Sequence, residues 1–219
     1  MAISTEQEGK QQTKKPKKNS LLDLHGFLDG LLADDRINQT DYDFAISSYR
    51  SVAGKDKHIL HSLADLKLDD RQSAGAKLTL ESLTMALSTQ CGQEYYRIDP
   101  LKIDVAKVTQ GMSFPFTQRN HILAVEVTPY EVTITSAEPY IDSWESDLEH
   151  VLQKRIKRVV SNPVEIKRLT TEFYSLSRSI SGATDSSSQK KGIGNLEQML
   201  ELGHIKDPEA NDQHIVNVV

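Results

Sequence analysis

Residues 94–140, EYYRIDPLKIDVAKVTQGMSFPFTQRNHILAVEVTPYEVTITSAEPY, constrain the fold more than any other stretch. Residues 121–127 form a nearly continuous apolar run, the pattern of a strand buried on both faces. Thr128-Pro129-Tyr130-Glu131 then supplies a tight turn, because the Pro129 ring pre-sets the second turn position. Val132-Thr133-Ile134-Thr135 alternates apolar and polar, as a half-buried strand does. A hairpin over 121–136 is therefore predicted. Upstream, residues 94–98 are aromatic and β-prone, and Asp99-Pro100 stops them. Ile103, Val105, Ala106 and Val108 suit a short helix. The centre thus reads as strand, helix, hairpin.

The chain before this centre reads as helical. Leu24, Phe27, Leu28, Leu31 and Leu32 make one amphipathic stripe, which Asp34-Asp35 ends. Asn38 or Thr40 can cap a second helix, in which Tyr42, Ala45, Ile46 and Tyr49 share a face. A degenerate repeat follows. Phe27-Leu28, Leu31-Leu32 and Arg36-Ile37 have counterparts in Ile59-Leu60, Leu63-Ala64 and Leu68-Asp69 at one constant offset. Tyr42, Ala45, Ile46 and Tyr49 match Leu83, Ala86, Leu87 and Gln90 at a larger offset, which implies an inserted loop within residues 70–77. Common leucine spacing can produce the same pattern by chance, so two helical hairpins are the expectation and a true repeat is one explanation of them.

After Tyr140, Asp142 and Glu145 have the spacing of a capping box, and Trp144, Leu148, Val151 and Leu152 form the buried face behind it. Residues 155–160 read as a strand. Asn162 caps the next helix, with Pro163 at its first position and Ile166, Leu169, Phe173 and Leu176 as its stripe. Residues 177–194 are rich in Ser and Gly and read as a flexible linker. Residues 1–20 are polar and lysine-rich and read as a disordered tail. Residues 195–202 suggest one short helix stopped by Gly203. Ile215-Val216-Asn217-Val218-Val219 is an apolar run with nothing to pack against, so a longer protein is expected to continue past it.

The expected architecture is α/β (α+β): N-terminal helical hairpins over 21–70, then an α/β domain over 78–176 with a small three- to four-stranded sheet covered by helices. The function classes narrow by chemistry. A net charge of −5 argues against a general nucleic-acid binder. Cys91 stands alone, so no intrachain disulfide can form, which fits a reducing compartment. No apolar stretch approaches the roughly 18 residues of a membrane span, and the N-terminus lacks the apolar core of a secretory signal. A cytoplasmic protein is expected. No GxxxxGK[ST] phosphate loop is present, and Gly192-Ile193-Gly194 lacks both the lysine and a preceding strand. His58 and His61 have no cluster of further metal ligands around them and read as helix-packing or surface residues. Nothing marks a nucleophile elbow. No catalytic, metal or cofactor residue is therefore assigned. Lys154, Arg155, Lys157 and Arg158 flank a predicted strand. They read either as a solvated edge or as a docking patch for an acidic partner.

Within LTLESLTMALSTQCGQEYYRIDPLKIDVAKVTQGMSFPFTQRNHILAVEVTPYEVTITSAEP, the order of motifs resembles the N-terminal domain of type II secretion and type IV pilus assembly ATPases, the GspE/PilB/MshE family. The order is a helix ending near Gly92, "Y-x-x-ID", "ID-x-x-x-V", "ILAV-x-V-x-P" and "V-x-I-x-x-AEP". Residues 159–174 resemble the family's next strand and a helix ending in Phe-Tyr, and residues 195–219 its connector toward a further domain. The resemblance covers roughly residues 21–219.

The resemblance implies that the ATP-binding and catalytic parts lie in a domain after Val219, that ATP binds only there, and that the parent ATPase is hexameric. It implies that this chain is no enzyme. Its expected role is regulatory and docking, with the cytoplasmic domain of an inner-membrane secretion or pilus protein as partner, at the inner face of the bacterial inner membrane. Some relatives bind cyclic di-GMP through two units of the form RLGxxLLxxGLI…QLxxALxxQ, and the repeat sits where those units would be. Leu28 and Leu60 replace the first glycine, Asp35 and Lys67 the second, and His25 or Gly26, and His58, stand near the leading arginine. Glycine allows close backbone approach and arginine engages guanine or phosphate. The substitutions favour a helical scaffold without ligand, and a cyclic di-GMP-sensing module is the alternative.

Overall fold

The computed structural model describes residues 19–54 and 57–184. The connector over 195–219 and most of the tail and linker lie outside the described residues. Two helical pairs come first. α1 (Leu24–Ala33) is capped by Asp23, whose carboxylate accepts from Gly26 N, and it buries Phe27, Leu28 and Leu31. α2 (Gln39–Val52) begins at Asn38, which forms a reciprocal capping box with Asp41. α3 (Ile59–Asp65) begins at His58, whose ring accepts from Leu60 N. α4 (Leu80–Cys91) is capped by Thr79 and stopped by Gly92 in the left-handed region at φ 69°, where a Cβ would be strained. The four helices and the turn at Ile37 share one core, with Phe27, Leu28 and Leu31 from α1, Ala45 from α2, Leu60 and Leu63 from α3, and Leu83 and Leu87 from α4. α4 therefore packs with the helical pairs, as the match of Leu83, Ala86 and Leu87 to the first hairpin's second helix suggested, although it lies within the 78–176 range expected for the α/β domain.

The second core surrounds a four-stranded sheet of order β1-β4-β3-β2, so the chain is α/β, as expected. β1 (Glu94–Tyr95), β2 (Ile122–Val127), β3 (Glu131–Ser136) and β4 (Arg155–Val160) fall where strands were predicted. β2 and β3 pair antiparallel with a bulge between Ala124 and Glu126, whereas β4 runs parallel to both β3 and β1. β1 is shorter than the expected 94–98. Its partner ends at Val160, and Asn162-Pro163 turns that chain into a helix, so the pairing has nothing further to bond.

Between β1 and β2 stand a 3-10 turn (Pro100–Lys102), α5 (Val105–Gln110) and α6 (Phe114–Asn120). The sequence reading missed α6. Ser113 caps it, Pro115 sits in its first turn, and His121 closes it at φ 52°, which delays β2 to Ile122. β3 also differs, because both its faces are covered: Thr133 is 4% exposed and Thr135 0%. The Thr135 and Ser161 hydroxyls are satisfied in a chain, Thr135 Oγ1 to Ser161 Oγ to Tyr96 O.

α7 (Glu145–Leu152) connects β3 to β4 and starts later than the capping box required. Trp144 holds its N-terminus with no side-chain cap, and the Asp142 carbonyl accepts from Glu145 N. α8 (Pro163–Thr184) starts as predicted, with Asn162 Oδ1 accepting from Val164 N at 2.9 Å. Its buried face drifts from Ile166 and Leu169 through Phe173 and Tyr174 toward Ser177, which leaves Leu176 49% exposed. Residues 177–184, read as the start of a linker, are the last two turns of α8. Thr109 Oγ1 lies 3.0 Å from Ser177 Oγ, and Arg178 sits over the Phe114 ring. Asn19, read as tail, donates its N–H to Tyr140 O at 2.9 Å.

Candidate interaction site

Strand alternation sends the four basic residues of β4 to different places. Arg155 and Lys157 share one face of β4, Ile156 and Arg158 the other. Lys154, just before the strand, bonds through Nζ to Thr128 O. Lys157 Nζ lies 2.8 Å from Glu94 Oε2, and that carboxylate holds the lysine pKa above its ordinary value. Arg158 is drawn inward: its NH1 is 3.3 Å from Glu145 Oε2, and its NH2 donates to Pro139 O at 2.7 Å and Ile141 O at 2.9 Å. Its guanidinium stacks 5.5 Å from the Trp144 ring centroid. Arg155 and Lys157 are both exposed, and Arg155 forms no ion pair among the described residues. β4 thus presents Arg155 and Lys157 outward, the lysine paired with Glu94, while Arg158 is turned inward.

Arg158 belongs to a junction. The segment after β3 receives the helical pairs on one side and β4 on the other. Glu138 is 6% exposed; its Oε2 accepts from Leu22 N at 2.7 Å, and its Oε1 lies 3.1 Å from His58 Nε2. Gln93 Nε2 donates to Pro139 O at 3.3 Å, and Tyr140 packs against the helical core. His58 thus both caps α3 and reaches the sheet domain, a packing role in line with its sequence reading. No signal in the sequence marked Glu138 for this purpose beyond its place in the "AEP" motif.

The repeat positions are also resolved. Asp35 and Lys67, at the second glycine of each unit, both hold left-handed backbone, at φ 51° and 53°. Leu28 and Leu60, at the first glycine, are fully buried. His25 Nδ1 lies 3.4 Å from Tyr42 Oη, while Gly26 N is spent on the α1 cap. The inserted loop over 70–77 is strapped to the first unit's turn: Arg36 pairs with Asp70, Arg71 Nε with Asp35 Oδ1 at 3.1 Å, and Gln72 Nε2 donates to Asp34 O at 2.7 Å.

Among the described residues, no group of three His, Cys, Asp or Glu side chains could hold a metal, and no helix is long and apolar enough to cross a membrane. Burial pushes the Cys91 thiol pKa up, which makes it a weak nucleophile.

The chain matches the MshEN domain family over residues 91–180. It is 33% identical over 199 residues to the type IV pilus assembly ATPase TfpB of Acinetobacter baylyi, an alignment covering 90% of this chain and 34% of that protein. The chain thus spans about a third of the length of that curated relative. Solved structures matched by the chain include MshE with cdg, at 12% identity and a TM-score of 0.49 over 68% of this chain and 98% of that one. The N-terminal domain of XpsE follows, at 17% identity and a TM-score of 0.41 over 66% and 91%. Likeness this distant transfers neither ligand nor contact. Residues 91–180 thus resemble the MshEN domain family, and nine tenths of the chain is similar to a part of a type IV pilus assembly ATPase.

Proposed function

We propose that this chain is the non-catalytic regulatory and docking region of a bacterial pilus or secretion ATPase. Its partner is the cytoplasmic domain of an inner-membrane protein of the same system, which places it at the inner face of that membrane. One observation carries the reading: nine tenths of the chain aligns with a pilus assembly ATPase, yet its sequence holds no loop that could cradle ATP phosphates. ATP binding and hexamer formation then belong to another part of the parent protein. The test is co-purification with the cytoplasmic domains of the system's inner-membrane proteins, alongside an assay for magnesium-dependent ATP turnover. Complex formation without turnover supports the reading; turnover by the purified chain overturns it.

The left-handed backbone at Asp35 and Lys67 favours a second reading, a cyclic di-GMP-sensing module, because both units keep the conformation that glycine would take there. Against it, Leu28 and Leu60 fill the core where the other glycines would admit a ligand. Titration calorimetry with cyclic di-GMP separates the two: measurable heat with saturation supports sensing, and its absence leaves a scaffold.

A further inference from the structure

The apolar seam of α8 runs on past the domain that covers it. Ile166, Leu169, Phe173, Leu176 and Ile180 succeed one another at steps of three, four, three and four, the spacing that keeps one face of a helix toward a partner helix. Ile166, Leu169 and Phe173 are 4%, 1% and 5% exposed, whereas Leu176 is 49% and Ile180 50% exposed. The sheet domain holds this end of α8 by its other flank, where Ser177 meets Thr109 and Arg178 lies over the Phe114 ring. On the open flank stand Ser175 and Ser179. With the Ser179 hydroxyl turned back to Ser175 O at 3.0 Å, this edge is small enough for a second helix to approach.

The chain itself carries a match for this face. Leu196, Met199 and Leu200 stand at helical spacing, Asn195 and Gln198 have the spacing of a helix start, and Gly203 that of a stop. Ten residues, 185–194, join that segment to α8. Extended, they reach about 33 Å. Ile180 and Leu176 lie only four and eight residues back from Thr184, about 6 and 12 Å along the helix. In an antiparallel return, Leu196 falls against Ile180 and Leu200 against Leu176, because each pair is four residues apart. The short tether holds the segment at an effective concentration on the order of millimolar, so it outcompetes a free partner of similar affinity.

We propose that residues 195–202 of this chain pack antiparallel on α8 over Leu176 and Ile180 and close its seam. The chain then turns back along α8, and whatever follows Gly203 departs at the level of Phe173 instead of beyond the end of the helix. Hydrogen exchange on the full chain tests this. The amides of residues 199–202 are those that a helix starting at Asn195 would bond. They are expected to exchange about tenfold or more slower than those of 186–194, and Leu176→Asp, at an exposed position, is expected to remove that protection. Equal exchange in the two stretches, or protection that survives Leu176→Asp, overturns the proposal. Paired cysteines in a Cys91→Ser background read the register. Under mild oxidation, Ile180→Cys with Leu196→Cys, and Leu176→Cys with Leu200→Cys, are expected to close an intrachain disulfide about tenfold faster than Leu176→Cys with Leu196→Cys. Equal rates for the three pairs are those of an undocked tether and overturn the packing. Disulfides that join two chains assign the seam to a second copy and overturn it as well.

Discussion

His58 and Glu138 meet at the seam between the two cores, with Nε2 of the histidine 3.1 Å from Oε1 of the glutamate. Leu22 N donates to the other oxygen of the same carboxylate at 2.7 Å. One buried side chain therefore holds both the entry to α1 and the start of α3 against the sheet domain. Removing that carboxylate leaves the buried Leu22 N–H without its acceptor, at a cost of about 1–3 kcal/mol; His58 Nε2 has no hydrogen-bond partner to lose, only the nearby charge. Glu138→Ala is predicted to lose stability on that scale in urea unfolding. It should also separate the helical pairs from the sheet, seen as earlier hydrogen exchange in α1 and α3 than in β3. A single unshifted transition would remove the seam from the account.

The two arginines of β4 should behave oppositely. Arg158→Glu forfeits the stacking on Trp144 and two carbonyl acceptors, and it places a carboxylate beside Glu145. A loss of about 3 kcal/mol or more is predicted. Arg155→Glu changes an exposed side chain and should stay within about 0.5 kcal/mol. Thermal melts of the two variants decide this, and equal losses would contradict the placement of the strand's faces.

Asp35 and Lys67 hold left-handed backbone without being glycine. Such a residue costs roughly 1 kcal/mol through its Cβ, part of which glycine returns as lost entropy in the folded state. Asp35→Gly and Lys67→Gly are each predicted to stabilise by up to about 1 kcal/mol. For Asp35 the exposed pairing with Arg71 subtracts little, because both side chains are largely in water. Destabilisation by both would mean that these turns are held by their side chains.

Much of the fold was legible because its signals are local. Asn38 and Asn162 cap the helices that their spacing announced, and the Thr128–Glu131 turn joins the two strands expected around it. α6 was missed because Phe-Pro-Phe reads as a break, whereas here Pro115 lies in the first turn, where its missing N–H costs nothing. Sheet order was out of reach, since parallel pairing of β4 with β3 and β1 is decided by contacts far apart in sequence. The candidate site was half legible. The basic run is real, but alternation could only suggest that Arg158 faces inward with Ile156. That it clamps the segment after β3 depends on tertiary packing.

Alkaline pH supplies a further check. Burial pushes the Tyr174 pKa from the ordinary 10.0 up to about 12, while its hydroxyl donates to Met112 O at 2.8 Å. A raised folded-state value means that the neutral form is favoured on folding. The associated stability is complete below about pH 10 and disappears as pH rises toward 12. About 2 kcal/mol should be lost across that window. Tyr95 is pushed the same way but is more open to solvent and contributes less. Tyr174→Phe should cost about 1 kcal/mol at neutral pH and flatten the alkaline slope. Unfolding monitored by circular dichroism against pH tests it; an unchanged slope would contradict the burial of that hydroxyl.

Docking without catalysis is tested most directly by one binding titration on the wild-type chain with ATP and magnesium present. The titrants are the cytoplasmic domains of the system's inner-membrane proteins. A saturable complex with one of them, tighter at low salt and formed with no release of phosphate, is the predicted result. Phosphate release by the chain alone, or no complex with any of those domains, would contradict it.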